Sequence, residues 1–404
     1  MVLVVHPFGN TFVRALISAL HAESELATFF TSVAFQADAA MLKAAPAKVR
    51  RQLGRRTFPV PKDLVQARPM GELIRHAFPA GAKSPDAPYA VGRNVDRAAA
   101  RWLARRREER SVTGVYGYED FALATFRVAE KEGLSRFYDL PIAYWRLTNR
   151  LLEEEAERYP AWAETMRYRL APAHYDRKDE ELELADAVFV PSNFVARSLQ
   201  DFLPATKPVH VIPFGSPNVP TESPAGTRPS GTPLRVLFAG SMSQRKGLAD
   251  VFEAMKLLDR KDVELRVLGS PLARLSFYHA QADFTHLPPR PHNEVLAAMR
   301  ECDVFVLPSI VEGRALVQQE ALACGLPIIV TANAGGEDLV DEGRTGFLVP
   351  IRNPAAIADR INWFSEHRDE LAAMRCAAIA KAQEYPWEAY GQAIVKVILK
   401  RSVR

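Results

Sequence analysis

The sequence predicts an α/β protein made of two Rossmann-like parallel-sheet domains, and three observations carry that reading. Short apolar runs rich in Val, Leu, Ile and Phe recur between longer helical patterns. The runs lack strict polar alternation, which marks strands covered by helices on both faces. One Pro-rich interruption divides the 404 residues into halves, each long enough to bury its own core.

The first run, VLVV at 2–5, leads into a turn at Gly9-Asn10. Gly9 would let the backbone approach a ligand closely at the carboxyl edge of the strand, although a plain strand-to-helix turn fits the same residues. Between residues 41 and 110 there are seventeen Lys or Arg against six acids; Arg50, Arg51, Arg55, Arg56, Arg101, Arg105, Arg106, Arg107 and Arg110 are among them. Such a field attracts anions. Solvated helix faces account for it, and so does contact with an anionic membrane, because 97-RAAARWLARRREER-110 sets Trp102 and Leu103 among arginines as interfacial helices do. No zinc-finger spacing or RNA-binding signature accompanies the charge, so no nucleic-acid partner is expected.

The stretch 112-VTGVYGYEDFALATF-126 offers Tyr116, Tyr118, Glu119 and Asp120 at another strand edge. Glu119 either faces a cleft or caps the helix running from Phe121 to Phe126. AVFV at 187–190 and VHVI at 209–212 complete a first domain at 1–216. Residues 217–233, rich in Pro, Gly, Ser and Thr, read as a linker. The second domain, 234–385, contains RVLFAG (235–240), ELRVLG (264–269), VFVL (304–307) and PIIV (327–330). ADAVFVPS at 185–192 is echoed by CDVFVLPS at 302–309, each ending in Pro-Ser at a strand's carboxyl edge, where open α/β sheets bind ligands. Residues 386–404 read as a C-terminal helix with Trp387, Tyr390, Ile394, Val395 and Ile398 on one face, which could cap either domain, packing back on the N-terminal one being one of the two arrangements.

Composition narrows the class. The net charge is +4, no stretch approaches the ~20 apolar residues that span a bilayer, and Met1 to Gly9 lacks a charged leader region. A soluble cytoplasmic protein, at most peripheral at the inner membrane face, is expected. Cys302, Cys324 and Cys376 form no C-x-x-C pair and read as buried packing residues in a reducing compartment.

Two segments of the second domain carry chemistry. In 235-RVLFAGSMSQRKGLADVFEAM-255 a strand ends in Gly240-Ser241, and Arg245 and Lys246 precede Gly247 and a helix. Two cations beside free N–H groups suit a diphosphate, and a solvated basic pair is the alternative. In 304-VFVLPSIVEGRALVQQEALACGLPIIVT-331 a strand feeds the turn Glu312-Gly313-Arg314-Ala315-Leu316 and then a helix, whose N-terminus suits a phosphate or a sugar hydroxyl. Glu312 and Glu320, eight residues apart, would lie roughly 12 Å apart along a helix. That exceeds the ~5–9.5 Å of a hydrolytic carboxylate pair, so either they grip hydroxyls at two ends of one elongated ligand or Glu320 is an ordinary exposed helical residue.

Together these motifs resemble family 4 retaining glycosyltransferases of the GT-B fold. The matching residues are Phe238, Gly240, Arg245, Lys246 and Gly247; Glu312 and Glu320; Ala323, Gly325 and Pro327; Gly335 and Gly336; and Gly346. The resemblance covers the C-terminal half and is loose in the N-terminal half. It implies transfer of a sugar from a nucleoside diphosphate, UDP or GDP, to a glycan, glycolipid or other acceptor in a cleft between two domains, with retention of configuration, no metal and no separate cofactor. It implies that Arg245 and Lys246 hold the diphosphate, Glu320 the ribose, and Glu312 the donor sugar, beside backbone N–H groups from Gly313 to Leu316. Family members commonly carry an aromatic residue and a glycine where this chain has Arg314 and Ala315, so Arg314 would add a cation near the sugar. Many also present a histidine near the sugar from a loop after a central strand, where the comparable stretch 112–126 offers Tyr116, Tyr118, Glu119 and Asp120 and no histidine. A nucleotide-sugar epimerase of the same fold and a binding protein that has lost activity are the rival readings.

Overall fold

The computed structural model describes residues 1–35, 53–54, 56–77, 86–105, 112–166, 171–218 and 231–402. Arg50, Arg51, Arg55, Arg106, Arg107 and Arg110 of the basic stretch, and residues 219–230 of the Pro-rich segment, lie outside the described residues.

The first half contains β1 (Val2–Val5), α1 (Thr11–Ala22), β2 (Leu26–Thr31), β3 (Val65–Ala67), α2 (Met70–Ala77), α3 (Ala87–Arg105), β4 (Gly114–Tyr118), α4 (Leu123–Lys131), β5 (Ser135–Asp139), α5 (Trp145–Arg158), α6 (Pro172–Leu184), β6 (Ala187–Val190), α7 (Asn193–Arg197) and β7 (Val209–Val211). The second contains β8 (Leu234–Ala239), α8 (Leu248–Leu258), β9 (Val263–Leu268), α9 (Leu275–His279), β10 (Thr285–Leu287), α10 (His292–Arg300), β11 (Val304–Leu307), α11 (Leu316–Ala323), β12 (Ile328–Val330), β13 (Gly346–Leu348), α12 (Pro354–Glu366), α13 (Leu371–Gln383) and α14 (Trp387–Ser402).

Every residue of β1, β4, β6, β11 and β12 is buried, as continuous apolar runs between two helical layers require. The strands pair in parallel in two sheets, ordered β3-β2-β1-β4-β5-β6-β7 and β10-β9-β8-β11-β12-β13. Both orders reverse beside the first strand, at β1/β4 and at β8/β11. The loops leaving those four strands therefore open into the crevices where doubly wound sheets bind ligands.

The halves interpenetrate. Leu151 and Leu152 of α5, with Trp162 and Met166 from the turn that follows, join the core of the second sheet. The Trp162 ring lies 5.2–5.7 Å from those of Phe252, Phe277 and Tyr278. In return α14 packs on α1, burying Tyr390, Ile394, Val395 and Ile398 in the first core. The two chain crossings touch, with the Ser216 N–H donating to the Tyr385 carbonyl at 2.7 Å.

Two expectations are corrected. Trp102 packs toward Phe30, ring centres 5.8 Å apart, and Leu103 is buried, so this face of α3 belongs to the core and offers nothing to a membrane. Cys302 and Cys324 are buried, but Cys376 is exposed because it falls on the outer side of α13.

Candidate active site

The four loops at the two switch points supply the site. After β8, Gly240 and Ser241 lead into a single tight turn, Gln244–Lys246, which ends at Gly247 with φ of +77°. A Cβ there would also fall 2.2 Å from the Pro308 carbonyl oxygen, so only glycine closes this turn against β11. The closure carries Arg245 and Lys246 to Glu312. Arg245 Nη1 and Lys246 Nζ approach the same carboxylate oxygen at 2.7 and 2.5 Å. Burial lowers the Lys246 pKa, with Arg245 adding to the fall and Glu312 opposing it. Two cations against one carboxylate leave a net positive charge in a site largely shielded from water, where it acts with little screening.

Glu312 leaves β11 in a loop and precedes α11, whose N-terminus has no side-chain cap. The Glu312 and Ala315 N–H groups are already donated to the Asn333 and Ala334 carbonyls. Gly313 lies against the first domain, where a Cβ would fall 1.7 Å from the Pro141 oxygen. Ser192 Oγ donates to the Gly313 carbonyl at 2.6 Å, so this loop is also an interdomain contact. Leu316 is half-buried.

Arg314 does not offer a cation to the cleft. Its side chain is buried, with Nη1 2.6 Å from Asp338, Nε donating to Gln319 Oε1 at 3.0 Å, and the guanidinium over the Tyr385 ring. Gln319 Nε2 in turn donates to the carbonyl of Phe214, next to the interdomain crossing. Glu320 sits on α11 at the rim, 2.9 Å from His292 Nε2. Gly9 lies beyond the edge of β1 and does not line the cleft cavity described next.

A cavity of about 380 Å³ faces Arg245 and Ser241 from the first domain, with Glu119, Asp120, Lys178, Trp145 and Tyr175 in its wall. Glu119 is no helix cap. The N-terminus of α4 is capped by two buried carboxylates from neighbouring helices: Glu181 accepts the Ala122 and Leu123 N–H groups, Asp96 accepts those of Ala124 and Thr125, and Arg177 bridges both acids. That frees Glu119 to meet Lys178 Nζ at 2.8 Å, with Asp120 at 3.0 Å from the same ammonium. Burial pushes the Glu119 carboxyl up to about 7, with Lys178 opposing and Asp120 adding to the rise. Asp120 holds φ at +74°, a costly conformation for a non-glycine residue, and its buried Oδ1 has no hydrogen-bond partner.

The structure thus joins Arg245, Lys246 and Glu312 directly and sets Glu119 and Ser241 across one cavity. It turns Arg314 away and leaves Glu320 and Gly9 outside the cavity wall. Sequence reasoning missed Lys178 and, in the same cavity wall, Thr165, whose Oγ1 accepts the Gln244 N–H at 3.3 Å. Lys178 sits in the charged run DRKDEELEL, where nothing in the pattern singles out one cation as inward.

Comparison with known proteins decides the fold. Over 99% of this chain and 98% of the other, it superposes on sucrose-phosphate synthase from Thermosynechococcus elongatus with a TM-score of 0.63 at 17% identity. The Anabaena protein HepE, solved in complex with UDP, gives 0.61 at 16% identity over 99% of both chains. The fold is GT-B. Residues 221–382 match the family described as "Glycosyl transferases group 1". Over 165 residues the chain is 32% identical to WcaL, a glycosyltransferase of Escherichia coli K12 named for colanic acid biosynthesis; the match covers 37% of this chain and 41% of that one. The chain spans less than half the length of this curated relative. In GT-B terms the two switch points face each other across the interdomain cleft, and the Arg245–Lys246–Glu312 cluster lies on the C-terminal side of it.

Proposed function

We propose that this protein is a retaining, metal-independent glycosyltransferase that moves a sugar from a nucleoside diphosphate, UDP or GDP, to a hydroxyl of a glycan, glycolipid or other acceptor. One observation carries the reading: two cations from one glycine-closed turn converge on a single carboxylate at the edge of β11. Arg245 and Lys246 hold the diphosphate and stabilise the charge that develops on it as the glycosidic bond breaks, fixed electrostatics in place of a metal. Glu312 orients those cations and accepts hydrogen bonds from the donor sugar, Glu320 takes the ribose, and Glu119 faces the acceptor from the opposite wall. The match to glycosyl transferases group 1 and the likeness to a protein solved with UDP support it.

Thermal-shift titration with UDP, GDP and ADP tests the reading, because a ligand that binds only the folded state raises its stability by mass action. One diphosphate raises the melting temperature with EDTA present, and Arg245→Ala/Lys246→Ala removes the rise. No shift with any of the three overturns the proposal. The anomeric configuration of the product, read by proton NMR, tests retention. The Glu119–Lys178–Asp120 group gives the epimerase reading its foothold, since epimerisation needs acid and base groups around the sugar. Donor incubated alone separates the two: slow release of free sugar marks the transferase, and an epimeric nucleotide sugar marks the epimerase.

A further inference from the structure

Helix α2, Met70–Ala77, is amphipathic the wrong way round. A surface helix ordinarily turns its apolar stripe to the core and its charges to water. Here Glu72 is 4% exposed and paired with Arg56 at 3.0 Å and Arg75 at 2.7 Å, while Gly71 lies on α3 beside Val91 and Asn94. Met70, Leu73 and Ile74 are 67%, 59% and 53% exposed. Their spacing of three and four puts them on one face of the helix. Phe202, Leu257 and Leu272, also exposed, lie singly on other elements. A grouped apolar face held outward by a buried ion-pair cluster marks an interaction surface.

From these contacts we infer that α2 docks on an anionic lipid surface. Charge complementarity selects that partner. Arg68, just before the helix, is exposed, and on α3 the line that starts at Asn94 continues through Arg97, Arg101 and Arg105, all exposed at helical spacing. The acids nearest this rim face inward: Glu72 is paired, and Asp96 is fully buried on the N-terminus of α4. Asp63 and Asp86 stay exposed, and among the described residues cations outnumber acids around the apolar tip. A shallow wedge of Met, Leu and Ile ringed by arginines matches the boundary between acyl chains and anionic headgroups, where insertion and electrostatic attraction add.

Vesicle flotation of the full chain tests this, independently of any sugar-transfer activity. The protein floats with phosphatidylglycerol-rich vesicles at low salt, is released at high salt, and stays behind with pure phosphatidylcholine. Leu73→Gln/Ile74→Gln weakens binding at least about tenfold with an unchanged melting temperature, because both side chains already face water. Arg97→Gln/Arg101→Gln also weakens it, while Leu257→Gln floats like the unaltered chain. No flotation on anionic vesicles, equal flotation on neutral ones, or unchanged flotation of the Leu73/Ile74 variant overturns the proposal. So does a concentration-dependent dimer in sedimentation that this variant abolishes, which would give the face to a second copy of the chain.

Discussion

Glu119 is held between two demands. Burial disfavours its charge, and Lys178 favours it, leaving the carboxyl titrating at about 7, above the ordinary 4.5. A native acid whose pKa is raised keeps a proton that the unfolded chain has lost, so folding stability falls as pH climbs from about 4.5 to 7. Glu119→Gln, which mimics the protonated carboxyl, removes that slope, seen as denaturation midpoints that coincide with those of the unaltered protein below about pH 4.5 and diverge as pH climbs to 7. If the carboxylate serves the acceptor hydroxyl, the rate rises through the same interval and the Gln variant loses that limb of the profile. An unchanged pH–rate profile in the variant excludes Glu119 from the chemistry.

The residues legible in the sequence were those whose spacing encodes a turn. Arg245, Lys246 and Glu312 stand at fixed offsets from Gly247 and from a buried strand, and the fold brings them into contact. Arg314, beside a sugar motif, reads as an exposed cation because its partners Gln319, Asp338 and Tyr385 come from separate elements that only packing unites. Lys178 and Glu181 were invisible for the same reason, since one face of α6 holds inward charges that satisfy another helix's N-terminus.

At the scale of elements, continuous apolar strands were the clearest signal, because burial on both faces removes the need for polar alternation. Strands such as β5, Ser135–Asp139, begin half-buried and polar, so the sequence disguises them as loop. The C-terminal helix showed its apolar face plainly, but which domain receives it depends on α1. Ile394, fully buried against the first domain, measures that attachment. Ile394→Ala lowers stability by roughly 2–5 kcal/mol in urea denaturation. A loss under about 0.5 kcal/mol, the level of an ordinary surface substitution, places α14 outside the cooperative core.

Across the whole molecule, the domains are joined by a buried polar cluster as well as by apolar packing. Glu155 of α5 is fully buried and receives Arg352 at 2.5 Å and Gln244 Nε2 at 2.7 Å, and Gln244 also donates to Asp250. Removing one member of such a cluster strands buried charge. Glu155→Ala therefore costs about 3–5 kcal/mol, and calorimetry shows both halves melting in one transition at lower temperature. Two separated transitions in the unaltered protein would contradict the shared core around Trp162.

Where the chain passes between lobes it does so twice, and the passages run side by side at Ser216 and Tyr385, with the Trp387 ring packed over Gly215. Such a double strap works like the pin of a door. It resists sliding and torsion between the lobes, alongside the Trp162 packing and the Ser192–Gly313 contact that also join them. Severing a single strap would leave one passage to hold what two side-by-side passages hold together.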